Sequence, residues 1–190
     1  MKSVASTGSL GNSRVKTITI TAVMAALLAV TAPLAIPLSG MVPISLATFS
    51  VMLIGVVMGP AAGIYPVAIY ILLGILGLPV FSSYRAGLQV ILGPTGGFIL
   101  GYLPLVLLTG LFARNVAPHT AGRYQPLVMA AGMILGTAAC YVCGTIWFCI
   151  LTKATLSKAL AACVIPFIPG DLIKIAIVCI LGPKIVKILG

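Results

Sequence analysis

Acidic side chains are almost absent from this sequence of 190 residues, which contains one aspartate, Asp171, and no glutamate. Charged residues of both signs make up 6% of the chain, whereas ordinary globular domains contain about 25%. A chain with so few charges cannot cover a surface that faces water. With 61% hydrophobic residues and a mean hydropathy of +1.27, the composition predicts a polytopic membrane protein that has the lipid bilayer as its solvent.

The same shortage excludes several classes of enzyme. One carboxylate cannot supply the pair of acids that glycoside hydrolysis needs, and the only histidine, His119, has no carboxylate or cysteine near it to form a relay. The glycine-rich segment "GPTGGF" at 93–98 lacks the lysine and hydroxyl of a phosphate-binding loop. We therefore expect no catalytic residues, and any work driven by ATP requires a separate ATPase subunit.

The five cysteines form no disulfide framework or metal pattern. Cys140 and Cys143 have the C-x-x-C spacing of redox and metal sites, but they lie in an apolar segment without a second pair or a companion histidine. We interpret the cysteines as small hydrophobic residues and expect neither a metal nor a cofactor. A membrane enzyme that uses these two thiols is an alternative from a different functional class.

Six apolar segments approach the length of about 20 residues that a helix needs to cross a bilayer. Their hydrophobic runs are continuous, which predicts helices rather than the alternating strands of a barrel. The first segment is interpreted as a retained helix, because Pro33 after "VTA" is a poor cleavage context for a signal peptide. The sequence thus predicts an all-α integral membrane protein of one domain, with six transmembrane helices at 17–36, 43–59, 60–78, 95–113, 126–151 and 166–188.

Basic residues lie in the gaps between these segments, as they do in membrane proteins. They form no stripe with interleaved polar and aromatic residues, so nucleic acid is not an expected partner. If segment 1–16 is cytoplasmic, seven basic residues lie inside: Lys2, Arg14, Lys16, Arg114, Arg123, Lys184 and Lys187. Only Arg85, Lys153 and Lys158 then lie outside. This asymmetry predicts that both termini are cytoplasmic.

Asp171 and Lys174 lie three residues apart within the sixth segment, so they share a helix face and can form an ion pair. Charges inside a span cost at least about 2.5 kcal/mol on insertion scales and usually face a cavity or each other. In the predicted topology the loop 79–94 lies outside and brings Arg85 to the same end. We therefore expect these three residues to meet at an outward-facing pocket.

Each of these charges also has a simpler explanation. Asp171 could cap the last helix, Lys174 could extend to the membrane interface, and Arg85 could be a solvated loop residue. A shared pocket explains all three at once and carries a net charge of +1. A monoanionic ligand would neutralise it, while the carboxylate would accept hydrogen bonds from neutral N–H groups. The pattern indicates a small organic anion with an amide-like or ureido end.

Alanines spaced four residues apart lie in the first segment, in the pairs Ala22/Ala26 and Ala25/Ala29. Small residues at this spacing allow helix backbones to approach closely in lipid. We attribute similar glycine pairs elsewhere in the chain to internal packing. The alanine face is therefore the best candidate for a contact with a partner protein.

Three motifs resemble the BioY family of bacterial biotin transporters: "GLPVF" at 77–81, "GPTGG" at 93–97 and "PGDLIK" at 169–174. The family comprises substrate-binding membrane subunits, or S components, of energy-coupling factor (ECF) transporters. The resemblance covers roughly residues 15–188. Ala47 departs from the pattern, because the family often has glutamine in this segment, and any polar role there is left vacant.

The resemblance implies a six-helix S component of the bacterial cytoplasmic membrane that captures biotin from the outer side and is not an enzyme by itself. It implies that Asp171 accepts hydrogen bonds from the ureido N–H groups, and that Lys174 and Arg85 bind the carboxylate and polar ring atoms. Tyr84 and Gln89 are weaker candidates for lining the site.

The resemblance also implies partners. Ala22, Ala25, Ala26 and Ala29 match the small-residue motif that S components present to an energising transmembrane subunit, which works with two ATPase subunits. An S component for another vitamin, such as thiamine or riboflavin, is an alternative within the same class.

Overall fold

The computed structural model describes residues 7–36, 43–117 and 124–189, and these ranges consist almost entirely of helices. In chain order the elements are α1 (Thr7–Thr31), β1 (Ala35–Ile36), β2 (Ile44–Ser45), α2 (Ala47–Met58), α3 (Pro60–Ile75), α4 (Leu88–Ile91), α5 (Gly96–Leu100), α6 (Tyr102–Leu111), α7 (Gln125–Thr152), α8 (Leu156–Cys163) and α9 (Ile168–Leu189). A 3₁₀ turn at Ser82–Tyr84 precedes α4, and a π-helical turn at Phe112–Val116 follows α6. His119, Lys2 and Arg123 lie outside the described residues.

Each of the six apolar segments overlaps a helix or a pair of helices, so the all-helical fold class is confirmed. Within the described ranges, three stretches are long and apolar enough to cross a membrane: Arg14–Thr31, Gly96–Arg114 and Gln125–Thr152. The bent pair α8–α9 makes a fourth if it counts as one span. Because α2 and α3 have only 12 and 16 residues, the count of six crossings and the side of both termini stay predictions.

The loops differ from the predicted boundaries in two places. α1 ends at Thr31 rather than at residue 36, because Pro33 has no N–H to continue a helix and restricts the residue before it. Ala35 and Ile36 instead pair in antiparallel fashion with β2, with Ala35 opposite Ser45. The second difference is α8, a short helix in what the sequence presents as the loop between the last two segments.

The corner between α2 and α3 depends on two consecutive residues. Gly59 has a φ of +82°, which favours glycine because a side chain would be strained there. Its N–H donates to the carbonyl of Gly55, which satisfies one of the last acceptors of α2. Pro60 then takes the first position of α3, where its missing N–H costs nothing.

α2 lies at the centre of the bundle, and every residue from Ser50 to Val57 is buried. α6 packs against α2, α3 and α7, while α9 packs against both α2 and α7. α1 packs mainly against α3. These contacts bring the start of α2, the middle of α7 and the start of α9 together at one end of the molecule.

Candidate ligand-binding site

Asp171 and Lys174 form the ion pair that their spacing predicts. The Nζ of Lys174 lies 2.8 Å from the Oδ1 of Asp171, and the two residues are only 7% and 3% exposed. The simpler explanations fail for both side chains. Asp171 lies inside α9, where its own N–H donates to the carbonyl of Phe167, and its carboxylate binds side chains. Lys174 does not extend to an interface, because its ammonium is buried among polar partners.

Two further side chains, from other helices, complete the coordination of Asp171. The phenol of Tyr141, in the middle of α7, donates to Oδ2 of Asp171 over 2.5 Å. The hydroxyl of Thr48, in the first turn of α2, donates to Oδ1 over 2.9 Å. The carboxylate therefore accepts three hydrogen bonds from three helices, which fixes its orientation.

The ammonium of Lys174 uses all three of its N–H donors. Besides Asp171 Oδ1 at 2.8 Å, it donates to Thr48 Oγ1 at 2.9 Å and to the backbone carbonyl of Ser45 at 2.7 Å. The Thr48 hydroxyl thus accepts from the lysine and donates to the aspartate. A buried ion pair is tolerated only when such additional hydrogen bonds compensate its loss of hydration.

Ser45 holds the chain in place for this contact. Its hydroxyl donates to the carbonyl of Ala32 over 2.8 Å and accepts from the N–H of Ala47 over 2.9 Å. These bonds attach the end of β2 to the end of α1 and to the start of α2. The Ser45 carbonyl accepts a hydrogen bond from Lys174, and its position is fixed by the contacts of β2 with α1 and α2.

The Asp171–Lys174 pair faces a small cavity of about 40 Å³. Aromatic rings supply much of its wall: Phe81, Phe98, Tyr102, Tyr141 and Phe167. Thr95, from the "GPTGG" motif, also lines the cavity, and its buried hydroxyl has no partner within the described residues. The cavity thus combines aromatic walls with a carboxylate, an ammonium and a free hydroxyl, as small-molecule sites commonly do.

The two cysteines of the C-x-x-C spacing do not face each other across this site. Cys140 is buried and lines the cavity, whereas Cys143 is exposed on another face of α7. Among the described residues there is no group of three or more histidine, cysteine or acidic side chains that could hold a metal.

The structure does not bring Arg85 into contact with the ion pair. The Arg85 side chain is exposed, and its Nε donates to the carbonyl of Ser82 over 3.3 Å. Ser82 itself lines the cavity. Tyr84 and Gln89 are exposed as well and do not line it, and Tyr84 has a positive φ of 58°. Tyr84 and Arg85 lie in the loop beside the cavity and Gln89 lies in α4, and the roles of all three in binding stay predictions.

The four alanines of α1 differ in their solvent exposure. Ala22 and Ala26 are exposed, Ala29 is half-buried, and Ala25 is buried at 4% exposure. α1 therefore presents the first of the predicted pairs on its surface, while Ala25 belongs to internal packing. The contact with a partner protein stays a prediction for this face.

Sequence reasoning missed Tyr141, Thr48 and Ser45. Tyr141 lies inside the "CYVC" motif, where only the two cysteines were considered as functional residues. Thr48 follows Ala47, the position where the resemblance leaves a polar role vacant, and that vacancy is the signal that pointed to this turn. Nothing in the sequence indicates that residues 123 positions apart share a hydrogen bond.

Comparison with known proteins identifies the family of this chain. A family model described as the BioY family matches residues 2–190. "Biotin transporter BioY2" of Lactococcus lactis subsp. cremoris is 33% identical over 179 residues, 94% of either chain. "Biotin transporter BioY" of Rhodobacter capsulatus is 36% identical over 154 residues, which are 75% of this chain and 78% of the relative.

A solved structure gives the same result for the fold. The crystal structure of an S-component for biotin from an ECF-type ABC transporter superposes with a TM-score of 0.81 and 28% sequence identity, covering 93% of each chain. The match extends over the whole bundle. On the family model and these relatives together, the chain belongs to the BioY family.

Proposed function

We propose that this chain is the substrate-binding S component of an ECF-type biotin transporter in a bacterial cytoplasmic membrane. It captures biotin from the outer side and releases it inward. The observation that carries the proposal is the buried Asp171, which three donors hold in place at the wall of an aromatic cavity. Biotin transporters among the relatives support the choice of ligand.

Asp171 suits the ureido ring of biotin because it has accepting capacity to spare. An ionised carboxylate offers about four lone-pair positions, and Thr48, Tyr141 and Lys174 occupy three of them. Oδ2 accepts only the Tyr141 phenol among the described residues. The remaining position on Oδ2 is the one that receives a ureido N–H.

The contacts indicate different roles for the two basic residues, Lys174 and Arg85. Lys174 has no N–H left for a ligand, so its role is to neutralise and hold Asp171. The pair is then electrically neutral, and the carboxylate of biotin needs a different cation. Arg85 is that cation, because its side chain is exposed and, among the described residues, bonds only to the carbonyl of Ser82, a residue of the cavity wall. Tyr84, in the same loop, and Gln89, at the start of α4, are the weaker candidates for contacts with the bound ligand.

The walls of the cavity move apart when the ligand binds. Small-molecule sites usually measure about 300–1,000 Å³, whereas this cavity measures about 40 Å³. The loop from Phe81 to Gln89 is the part that moves, because most of its side chains are exposed and it carries two consecutive non-glycine residues with positive φ, Ser83 and Tyr84.

Energy for uptake comes from other subunits. The sequence has no phosphate-binding loop, so ATP hydrolysis requires another subunit. The resemblance to ECF S components implies two ATPase subunits that act through an energising transmembrane subunit. That subunit contacts α1 at Ala22 and Ala26, which are exposed and spaced for close helix packing. The family's curated relatives carry the names of transporters and not of enzymes.

Equilibrium binding of radiolabelled biotin to the purified chain in detergent tests the proposal, with thiamine and riboflavin as competitors. We expect unlabelled biotin alone to compete. Competition by another vitamin would assign the chain to that vitamin instead. Thiol blocking at the exposed Cys143 should leave both binding and uptake intact, and a loss of function with binding intact would favour the thiol-dependent alternative.

A further inference from the structure

A second cavity, of about 560 Å³, lies at the opposite end of the bundle. Its apolar walls come from α2, α7 and α9 and include Val56, Met129, Pro183 and Val186. Along α2, eight residues separate Thr48 from Val56, a rise of about 12 Å. Along α9, sixteen residues separate Asp171 from Lys187, a rise of about 24 Å. The second cavity is therefore separate from the biotin site.

Two cations, Arg114 and Lys187, line this cavity and are exposed. Neither side chain has a hydrogen bond or an ion pair with another described residue. The sequence offers no acidic side chain that could pair with them, because its only carboxylate side chain, Asp171, is bound to Lys174. No acidic side chain of the sequence therefore competes with an external anion for these two cations.

Arg114 is held at the cavity by packing rather than left on a free surface. It lies in the π-helical turn Phe112–Val116, a local geometry that is frequent at functional sites. Its aliphatic stem covers Gly59, where an added Cβ would lie 3.1 Å from the Arg114 Cγ. The corner between α2 and α3 therefore positions the guanidinium.

We propose that this cavity binds an anionic phospholipid, with its phosphate between Arg114 and Lys187 and its acyl chains along the apolar wall. Basic pockets between membrane helices bind anionic headgroups in this way. A free hydrated anion makes no favourable contact with apolar walls of valine, methionine and proline. An amphiphile binds the two cations with its headgroup and the apolar wall with its acyl chains. The proposal goes beyond biotin transport and does not depend on it.

Native mass spectrometry of the full chain, released from micelles with equal amounts of phosphatidylglycerol and phosphatidylcholine of the same acyl chains, tests the proposal. We expect wild-type protein to retain phosphatidylglycerol preferentially. The double variant Arg114→Gln/Lys187→Gln should reduce that preference on the order of ten-fold. The matched control Lys153→Gln/Lys158→Gln removes the same charge from exposed residues outside the cavity and should keep the preference.

A charge-conserving variant, Arg114→Lys/Lys187→Arg, separates charge from folding and should also keep the preference, with thermal unfolding as the check on each protein. Equal retention of the two lipids by wild type would overturn the proposal, as would an equal loss in the control pair. Displacement of the lipid by millimolar inorganic phosphate would identify a free anion as the ligand. If Arg114→Gln/Lys187→Gln retained lipid as wild type does but no longer assembled with the energising subunit, the two cations would be assigned to a protein contact.

Discussion

The phenol of Tyr141 donates a hydrogen bond of 2.5 Å to Oδ2 of Asp171 and thereby joins the middle of α7 to the first turn of α9. The other oxygen of Asp171 is already bound by Thr48 and Lys174. Tyr141 is therefore the described residue that orients the oxygen with accepting capacity left. The carboxylate that we propose as the ligand-binding group therefore depends on a side chain that no charge pattern in the sequence reveals.

Removing this phenol should weaken biotin binding without unfolding the protein. Hydrogen bonds to charged groups contribute about 1.5–3 kcal/mol, so Tyr141→Phe should raise the Kd for biotin roughly ten-fold or more. Tyr65→Phe is the matched control, because Tyr65 is 62% exposed and lies away from the cavity. Equal affinity in the two variants would show that Tyr141 does not orient the carboxylate.

Thr48 should be replaceable by serine but not by valine. Thr48→Val keeps the shape but removes the hydroxyl that accepts from Lys174 and donates to Asp171. Leaving such buried groups unsatisfied costs about 1–3 kcal/mol, so the variant should unfold at a lower temperature and bind biotin more weakly. Thr48→Ser retains the hydroxyl and should stay near wild type in both measurements. A similar loss in both variants would instead assign the effect to the missing methyl packing.

The two charges of the ion pair should depend on each other for stability. Lys174→Met leaves Asp171 buried without its counter-ion, which costs about 3–5 kcal/mol in comparable pairs. Asp171→Asn/Lys174→Met removes both charges and should recover part of that loss, although it should not recover biotin binding. Thermal unfolding of the purified variants measures the coupling. Simple addition of the two single effects would contradict a direct interaction.

The exposed alanines of α1 should matter for transport and not for binding. Ala22→Leu and Ala26→Leu place bulk on the surface of α1, so biotin binding by the purified chain should be unchanged while uptake by cells falls. Ala25→Leu is the contrasting variant, because Ala25 is 4% exposed and added bulk there disturbs the core. If Ala26→Leu lost binding as well as uptake, a folding defect would replace the proposed contact.

The helices could be predicted from the sequence because continuous apolar runs leave few other structures in a bilayer. Their ends were less predictable. Pro33 is a local signal for the end of α1, but the short pairing of Ala35 with Ser45 depends on contacts made after the helix has ended. α8 is too short and amphipathic to stand out. The need for glycine at Gly101, between α5 and α6, also follows from close packing, since a Cβ there would lie 2.9 Å from the Cys140 sulfur.

The site was predictable only where charge made it conspicuous. Asp171 and Lys174 stand out because ionic side chains are rare and costly inside a span, and their spacing gives the pair directly. Thr48 and Tyr141 are ordinary residues of apolar helices, and only the packing of α2 and α7 against α9 gives them a role. Arg85 was expected to meet the pair, yet the count of charges could not show that its side chain bonds to the Ser82 carbonyl instead.

The central claim is that Asp171 receives the biotin ligand, and equilibrium binding of biotin to purified wild type and Asp171→Asn tests it most directly. Asparagine keeps the shape but replaces an accepting oxygen with a donating N–H₂. We predict tight binding by wild type and a loss on the order of 100-fold in the variant. Thermal unfolding, with Asp171→Asn/Lys174→Met beside it, checks that the variants are folded. A folded Asp171→Asn that binds biotin as tightly as wild type would contradict the account.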